Sequence, residues 1–488
     1  MTIFPINIGA FLSESFKIDR NTRSGTQPMK LPSSGTPRLL QKLHWVMNPV
    51  GYMESNVRRY PDLFKAEVVG FGDTLVFVSH PQAIQYILTH DNKQLSVPGK
   101  VNQIVEPLLG EYSVIMLEGD RHRRQRQLLM PPFHGDRMRS YGEMIREIAA
   151  TVMSQVPTSQ PFLARAMMSE ISSQVMLKTV FGLDVAGENY HQIKHLMTSM
   201  LDVFNTPAAS GLLFFKQLQV DLGRWSPWGY FLRIREKIDK LLYAEIANRR
   251  QQDLSDRLDI LSLLMSARDA EGEAMTDKEL RDELLTLLFA GYETTASAMS
   301  WGLYWIHALP EVKNRLREEI ASLGDNPAPM DIFNLPYLTA VCNEVLRLYP
   351  VAMLTFPRRV EEPMELLGYS LKAGTDLVGC IYLLHHREEL YPDSYQFKPE
   401  RFLERQFSPY EFMPFGGGKR RCIGAALAVY EMKLALATIL SGYDLKLAEK
   451  GPVKPQRRGV TLSPAGGIKM IKVGDRTPAE RPLIAAVS

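Results

Sequence analysis

The sequence predicts a mainly α-helical protein with small β-sheets, built as one large helical body and a smaller strand-rich lobe. Apolar residues recur at three- and four-residue spacing along most of 123–307. Short alternating runs, bounded by Gly, Pro and Asp, gather near the start and in the last third. No internal repeat or linker-like run divides the chain. Its 488 residues would by length alone suggest two or three domains. The uniform texture argues instead for a single domain over 36–488, after an irregular polar lead-in over 1–35 that ends in LPSSGTP.

Composition narrows the class. Hydrophobic residues make up 45% and charged residues 23%, which excludes a disordered or fibrous chain. A net charge of +3 excludes nucleic-acid binding by bulk charge. The three cysteines, Cys342, Cys380 and Cys422, are too few for a disulfide scaffold and too dispersed for a zinc knuckle. They fit a reducing, cytoplasmic compartment and leave room for one of them as a single metal ligand. No run approaches about 18 apolar residues, so no transmembrane helix is expected. The N-terminus lacks the charge and apolar pattern of a signal peptide. Peripheral membrane contact stays open, and a monomer is expected.

In chain order, a short helix is predicted over 49–60, then strands over 64–72 and 74–79 split by Gly70, Gly72 and Asp73, then a helix over 80–90. Helical spacing continues over 138–155, 163–181, 190–204 and 234–252. Between the last two lies 205–231, rich in turn residues and large apolar side chains. It reads either as a buried corner or as a mobile apolar lid over a pocket or against a membrane. Thr276 and Glu279 then form a capping-box pattern that opens a long helix ending near Pro310. Its middle, ELLTLLFAGYETTASAMSWGLYW, is apolar on nearly every side, as in a helix that runs through a core. The last third predicts a helix over 338–348, strands near 359–360, 364–367 and 378–383, and a helix over 423–440. It also predicts a hairpin of 459–462 against 468–473.

Chemistry concentrates in Phe415-Gly416-Gly417-Gly418-Lys419-Arg420-Arg421-Cys422-Ile423-Gly424. Its glycines let the backbone approach a flat object closely. Cys422 falls where a helix begins, and unpaired N–H groups and three basic residues there favour a thiolate. Gly424, Ala425, Ala426 and Ala428 keep the following helix face small. A lone thiolate on a closely approached surface suits an axial haem ligand. The alternative, a phosphate nest with an incidental cysteine, lacks the Lys-Ser/Thr pair of a nucleotide loop.

This segment resembles the haem-binding loop of the cytochrome P450 superfamily, Phe-x-x-Gly-x-Arg-x-Cys-x-Gly. Phe415, Gly418, Arg420, Cys422 and Gly424 all match. The resemblance implies haem b as cofactor, Cys422 as its axial iron ligand, Arg420 near a propionate, and Phe415 against the sulfur. It extends over about residues 30–475 and implies a triangular helical body with haem between the long helix and the Cys422 loop.

Three further stretches follow the same order as in that superfamily. Glu344-Val345-Leu346-Arg347 places an acid and a base on one helix face. A surface ion pair is the common meaning of such a spacing, but this helix is apolar. Its resemblance, with FKPERF, implies a Glu344–Arg347–Arg401 network that locks the core presenting Cys422. On the long helix, Ala290-Gly291-Tyr292-Glu293-Thr294-Thr295 combines a small pair, against which a ligand can lie, with a threonine able to bond the i−4 carbonyl or to leave the ladder. A packing glycine beside a back-bonded threonine is the plainer reading. The resemblance implies oxygen activation instead, with Thr294 assisting and Glu293 relaying protons through ordered water. In Asp120-Arg121-His122-Arg123-Arg124-Gln125-Arg126, His122 and Arg126 are i, i+4 neighbours able to share one carboxylate. The superfamily more often has tryptophan where His122 stands. The other arginines are expected to face solvent, where an acidic electron donor could dock. Arg358 resembles a further propionate-binding arginine, with Arg359 beside it.

The activity implied is haem-thiolate monooxygenation: hydroxylation of an unactivated C–H bond of a lipophilic substrate by O2, with electrons from separate partners, a ferredoxin and its reductase. AGYETT and FGGGKRRCIGAALA resemble a cyanobacterial branch associated with fatty acids, which makes a long-chain fatty acid the expected substrate. Terpenoids, retinoids and other isoprenoid or aromatic metabolites are the alternative. Hydroperoxide isomerases and peroxygenases tend to lose the acid–Thr pair kept here as Glu293-Thr294, and a non-catalytic haem binder has no use for it. Candidate pocket walls are Phe289 and Ala290, Met353, Leu354, Thr355, Val460 and the 103–115 region.

Overall fold

The computed structural model describes residues 29–476 apart from 71–73, 91–93, 134–135 and 184–186. Most of the expected lead-in therefore lies outside the described residues. Its organising element is the helix Asp277–Ala308, 32 residues long. Thr276 Oγ1 accepts from the Glu279 amide at 3.3 Å while the Glu279 carboxylate accepts from the Thr276 amide at 2.8 Å, so two helix-end donors are satisfied reciprocally. Helices Ala164–Phe181, Pro227–Arg249, Pro336–Leu348 and Ala425–Gly442 pack around it. Its apolar-all-round sequence is thus buried on successive faces, and Leu284, Leu285, Leu288, Met299, Trp301 and Leu303 are fully enclosed.

Among the described residues the strands form four small sheets. In the largest, Leu63–Ala66 pairs antiparallel with Leu75–Val78, which runs parallel to Asp376–Gly379; Arg358–Val360 and Leu95–Ser96 complete it. A second apolar cluster, with Ile84, Ile87 and Leu377, lies against this sheet and forms the smaller lobe.

Each predicted helix is present with ends shifted by a few residues, except that Pro227–Arg249 starts seven residues before the predicted 234; Arg38–Met47 and Pro310–Ala321 are helices the sequence reading did not assign. Three strand assignments differ. The first strand, expected over 64–72, is Leu63–Ala66 and ends well short of Gly70. Segment 381–385 is helical, not strand. The hairpin is Pro455–Arg458 against Thr461–Pro464, not 459–462 against 468–473. Gly459, at φ +58°, reverses the chain within two residues, which places Val460 at the tip. Lys469–Asp475 pairs instead with Tyr443–Leu447 and Pro161–Leu163. Segment 205–231 divides: helix Pro207–Phe214 buries Leu213 and Phe214, while Leu218, Val220, Leu222 and Trp225 are exposed.

One described helix, Ala425–Gly442, is long and apolar enough to cross a membrane by length and composition alone. Most of it is buried against the long helix and helix Asp136–Ser154, as a core helix would be.

Candidate functional site

A cavity of about 420 Å³ takes one wall from the long helix and another from the cysteine loop. Phe289, Ala290, Gly291, Glu293 and Thr294 line it from the helix; Phe415, Gly416, Gly417, Arg420, Cys422 and Gly424 line it from the loop. His122, Arg126, Leu354, Thr355 and Val460 also reach it, as do Val105, Leu108, Leu109, Val114 and Ile115 from the 103–115 region. A second depression of about 350 Å³, between Arg146, Arg317 and Arg476, contains none of these residues.

Met353 is the expected wall residue that the structure removes. It is 3% exposed within the main core, because the irregular turn after Pro350 points Leu354 and Thr355 to the cavity in its place. Gly418 (φ +64°) turns the loop without lining the cavity. Arg358 is buried behind the wall, whereas Arg359 pairs with the Asp376 carboxylate at 2.9 Å, so the two arginines take different roles.

The helix stays unbroken through Ala290–Thr295. Thr294 Oγ1 donates to the Ala290 carbonyl. A Cβ on Gly291 would lie 2.5 Å from Met176 Sδ, so this residue is small for helix packing, while Ala290 presents the small surface to the cavity. Glu293 Oε1 is held by Arg165 at 2.8 Å and Arg458 at 2.8 Å, and Oε2 is buried with no hydrogen-bond partner. Burial raises the Glu293 pKa, and the two guanidiniums oppose that rise. The acid is thus tied into an ion-pair cluster rather than free beside Thr294.

Cys422 begins the turn into helix Ala425–Gly442, and its amide donates to the Phe415 carbonyl at 3.0 Å. It is the one exposed cysteine of the three; Cys342 and Cys380 are buried elsewhere. Its accessible surface opens on the cavity. That surface faces an enclosed cavity rather than bulk water, and this desolvation raises its thiol pKa, against the pull of the Gly424 N–H, Arg126 and Arg421. In the protein alone, desolvation therefore outweighs the helix end and basic residues expected to favour a thiolate.

Positive charge gathers on the neighbouring wall. His122 is pushed down to about 4, first by burial and then by Arg420, Arg126, Arg358 and Lys419. Arg420 donates to the Val114 carbonyl at 2.8 Å and to the Val97 and Leu117 carbonyls, which fixes the loop before helix Gly119–Leu129 against the cysteine loop. Of the arginines expected at the surface, Arg121 and Arg123 are exposed, but Arg124 turns inward to Asp269 and Glu279.

The acid–base network assembles as a unit. Glu344 and Arg347 are fully buried. Arg347 binds Glu344 Oε2 through Nε at 2.7 Å and Oε1 through Nη2 at 2.8 Å, and Arg401 reaches Oε1 at 3.1 Å. Arg347 Nη1 also donates to the His385 and Ser394 carbonyls, each at 2.7 Å. These additional bonds offset the desolvation of the pair.

A family profile described as Cytochrome P450 matches residues 32–471. The putative cytochrome P450 135B1 of Mycobacterium tuberculosis is 35% identical over 455 residues, covering 92% of each chain. The putative cytochrome P450 138 of Mycobacterium bovis is 31% identical, covering 90% of this chain and 95% of its own. The solved structure of retinoic acid-bound cyanobacterial CYP120A1 aligns with a TM-score of 0.80 at 24% identity, over 92% of this chain and 100% of that one. The cytochrome P450DA heme domain aligns with a TM-score of 0.80 at 20% identity, over 94% and 100%. The chain belongs to the cytochrome P450 family. It is a haem-thiolate monooxygenase whose cofactor is haem b with an axial cysteine thiolate. These curated relatives are mycobacterial, and the cyanobacterial structure shares the fold alone.

The residues present fit that cofactor. Gly416 and Gly424 line the cavity with open space where a Cβ would stand. Cys422 offers the cavity a thiol, and metal coordination removes a thiol proton outright. Burial first, and then the positive charge of Arg420, Arg126, Arg358 and Lys419, keep His122 neutral, and that positive charge suits a dianionic edge such as two propionates.

Sequence reasoning did not single out Glu283, Arg165, Arg458 or His385. Glu283, lining the cavity from an apolar helix, was detectable as a charge in an expensive place. The other three acquire meaning only through partners 28–165 positions away, among them Arg458 with Glu293 and His385 with Met413.

Proposed function

We propose that this monooxygenase hydroxylates an unactivated C–H bond of a long-chain lipophilic substrate, with fatty acids as the leading class. In this reading Cys422 would hold the haem iron; His122, Arg126 and Arg420 would receive the propionates with Arg358 adding positive charge from behind the wall, and Phe415, Gly424, Ala290 and Gly291 would shape the bed on the turn made by Gly418. Residues 36–488 act as a single haem domain. Electrons come from a separate ferredoxin and its reductase, and the enzyme works as a cytoplasmic monomer. The observation that carries the substrate class is the cavity wall, where Leu108, Leu109, Phe204, Leu213, Leu287 and Phe289 supply a mainly apolar surface.

When bound, the haem supplies oxygen activation and transfer of one oxygen atom to carbon. The protein's part is position, dryness and proton control. The apolar wall excludes bulk water from the reacting end of the substrate. Thr294 holds a proton at Oγ1, on the Ala290 carbonyl and within the cavity wall. Glu293 holds the next exchangeable site at Oε2, and Arg165 and Arg458 set its protonation from the other oxygen.

The test is an optical titration of the purified ferric protein with a long-chain fatty acid. A saturable passage from low to high spin is expected. A haem-thiolate spectrum that stays low spin with fatty acids, yet responds to terpenoid or retinoid ligands, replaces the substrate class. Thr294→Ala is expected to uncouple electron consumption from product; unchanged coupling with a competent donor refutes the role given to Thr294.

A further inference from the structure

Neighbouring residues of the long helix hold consecutive residues of one cavity wall. Asp282 Oδ2 accepts from the Tyr112 amide at 2.9 Å, Thr286 Oγ1 donates to Ser113 Oγ at 2.7 Å, and Glu283 Oε1 accepts from the Val114 amide at 2.6 Å. The Gly110 backbone closes on the same Asp282 carboxylate, where a Cβ would overlap it. Arg420 takes the Val114 carbonyl at 2.8 Å, so Val114 is tied to the long helix through its amide and to the cysteine loop through its carbonyl. At the other end of the segment, Arg235 donates to the Pro107 carbonyl. Arg235 also binds Asp239 at 3.1 Å, Arg281 binds Asp239 at 2.9 Å, and Arg281 binds Asp282. This chain of ion pairs runs from Pro107 back to Asp282 and closes a clasp around 107–114.

The clasped region supplies Val105, Leu108, Leu109, Val114 and Ile115 to the cavity. Residues 110–118 form neither helix nor strand, so no regular ladder fixes their backbone and side-chain bonds decide where it lies. Glu283 and Thr286 line the cavity themselves, whereas Asp282, 3% exposed, does not. A buried carboxylate needs donors to offset its desolvation, and Asp282 finds them in Arg281 and the Tyr112 amide. Its charge is thus directed at the backbone of a wall that it stands behind. A wall ordered before the ligand arrives removes an ordering cost from binding.

We propose that Asp282 is a positioning residue for ligand selection: it holds the 107–115 wall in its bound geometry, so that ligands long enough to touch this wall are favoured over those that end short of it. This goes beyond the lipophilic reading above and does not require that the substrate be a fatty acid.

The test titrates the ferric holoenzyme with 1-methylimidazole and 1-dodecylimidazole, which share a ring nitrogen for the iron and differ in the tail. Optical shifts give both affinities; amide exchange over 107–115 and the thermal midpoint are followed beside them. Asp282→Ala is expected to lose about tenfold in dodecyl affinity, to keep methyl affinity within about twofold, and to exchange faster over 107–115. Asp282→Asn, whose amide oxygen can still accept from Tyr112, is expected to recover most of the dodecyl affinity. If Asp282→Ala fails to fold, Asp239→Asn replaces it; it weakens the clasp from a partly exposed position and is expected to show a smaller loss in the same direction. Equal losses for both ligands, or a lower thermal midpoint with the dodecyl preference unchanged, reduce Asp282 to a stability residue and overturn the proposal. A wild type that binds both ligands alike overturns it too, and leaves the substrate class to the fatty-acid titration above.

Discussion

The amide of Met413 donates to Nε2 of His385 at 3.0 Å, and this bond joins the buried Glu344–Arg347 pair to the stretch of chain that carries Cys422. On one side, Arg347 donates to the His385 carbonyl at 2.7 Å. On the other, the Gly416 amide donates to the Met413 carbonyl at 2.9 Å, and the Cys422 amide to the Phe415 carbonyl at 3.0 Å. An accepting Nε2 requires a neutral ring with its proton on Nδ1, which lies 3.3 Å from the Arg347 carbonyl.

His385→Ala is therefore expected to cost about 1–3 kcal/mol and to lower haem retained per chain. A thermal melt and a haem-to-protein ratio check both. The bond also carries a pH signature. Burial, Arg347 and His386 hold the His385 pKa well below its ordinary value of 6.5. Its contribution is fully present above that value and declines as pH falls below it, because only the unfolded chain then takes up the proton. The melting temperature of the wild type should drop across that window more steeply than that of His385→Ala.

Arg347→Met removes one member of a fully buried pair and leaves Glu344 with only Arg401 and the Lys398 amide. The expected loss is about 3–5 kcal/mol, larger than for a surface ion pair. Denaturant unfolding of the variant beside Lys240→Met, which breaks an exposed pair with Glu236, measures the difference.

Glu283→Gln tests the opposite sign of pH dependence. Burial raises the Glu283 pKa from 4.5 to about 8, against the hydrogen bond from the Val114 amide. Across that interval the unfolded chain has lost the proton and the folded one keeps it, so this group's stabilisation declines as pH rises. The glutamine variant, which can still accept from the Val114 amide, should gain about 1–2 kcal/mol relative to wild type between pH 5 and 8. Melting temperatures across that range decide it.

Cys422→Ser is expected to abolish the thiolate signature of bound haem while the apoprotein stays folded. Cys342→Ser and Cys380→Ser should keep the signature, since both thiols are buried away from the cavity. Optical spectra of the three variants, compared at equal haem content, provide the check.

What the sequence revealed follows the range of the interactions involved. The Cys422 loop and the Glu344–Arg347 spacing are local patterns, readable without knowing the fold. The capping box and the all-round apolar long helix are equally local. Met353 was misassigned because direction along an irregular segment after Pro350 has no periodicity to follow. The hairpin was misassigned because Gly459 and Gly466–Gly467 both offer turns, and only tertiary pairing of Lys469–Asp475 with Tyr443–Leu447 chooses between them. Glu293 was expected as a proton relay through ordered water; its tether to Arg165 and Arg458 depends on elements far apart in sequence.

The bond from Arg420 to the Val114 carbonyl closes a loop of 306 positions, and Arg457 reaches the Trp45 carbonyl across 412. A ribosome has released the chain as far as Arg420 for the first contact and Arg457 for the second before either can form. The cofactor bed thus cannot exist until the Cys422 loop has emerged, and haem held there follows the synthesis of the early helices rather than templating it.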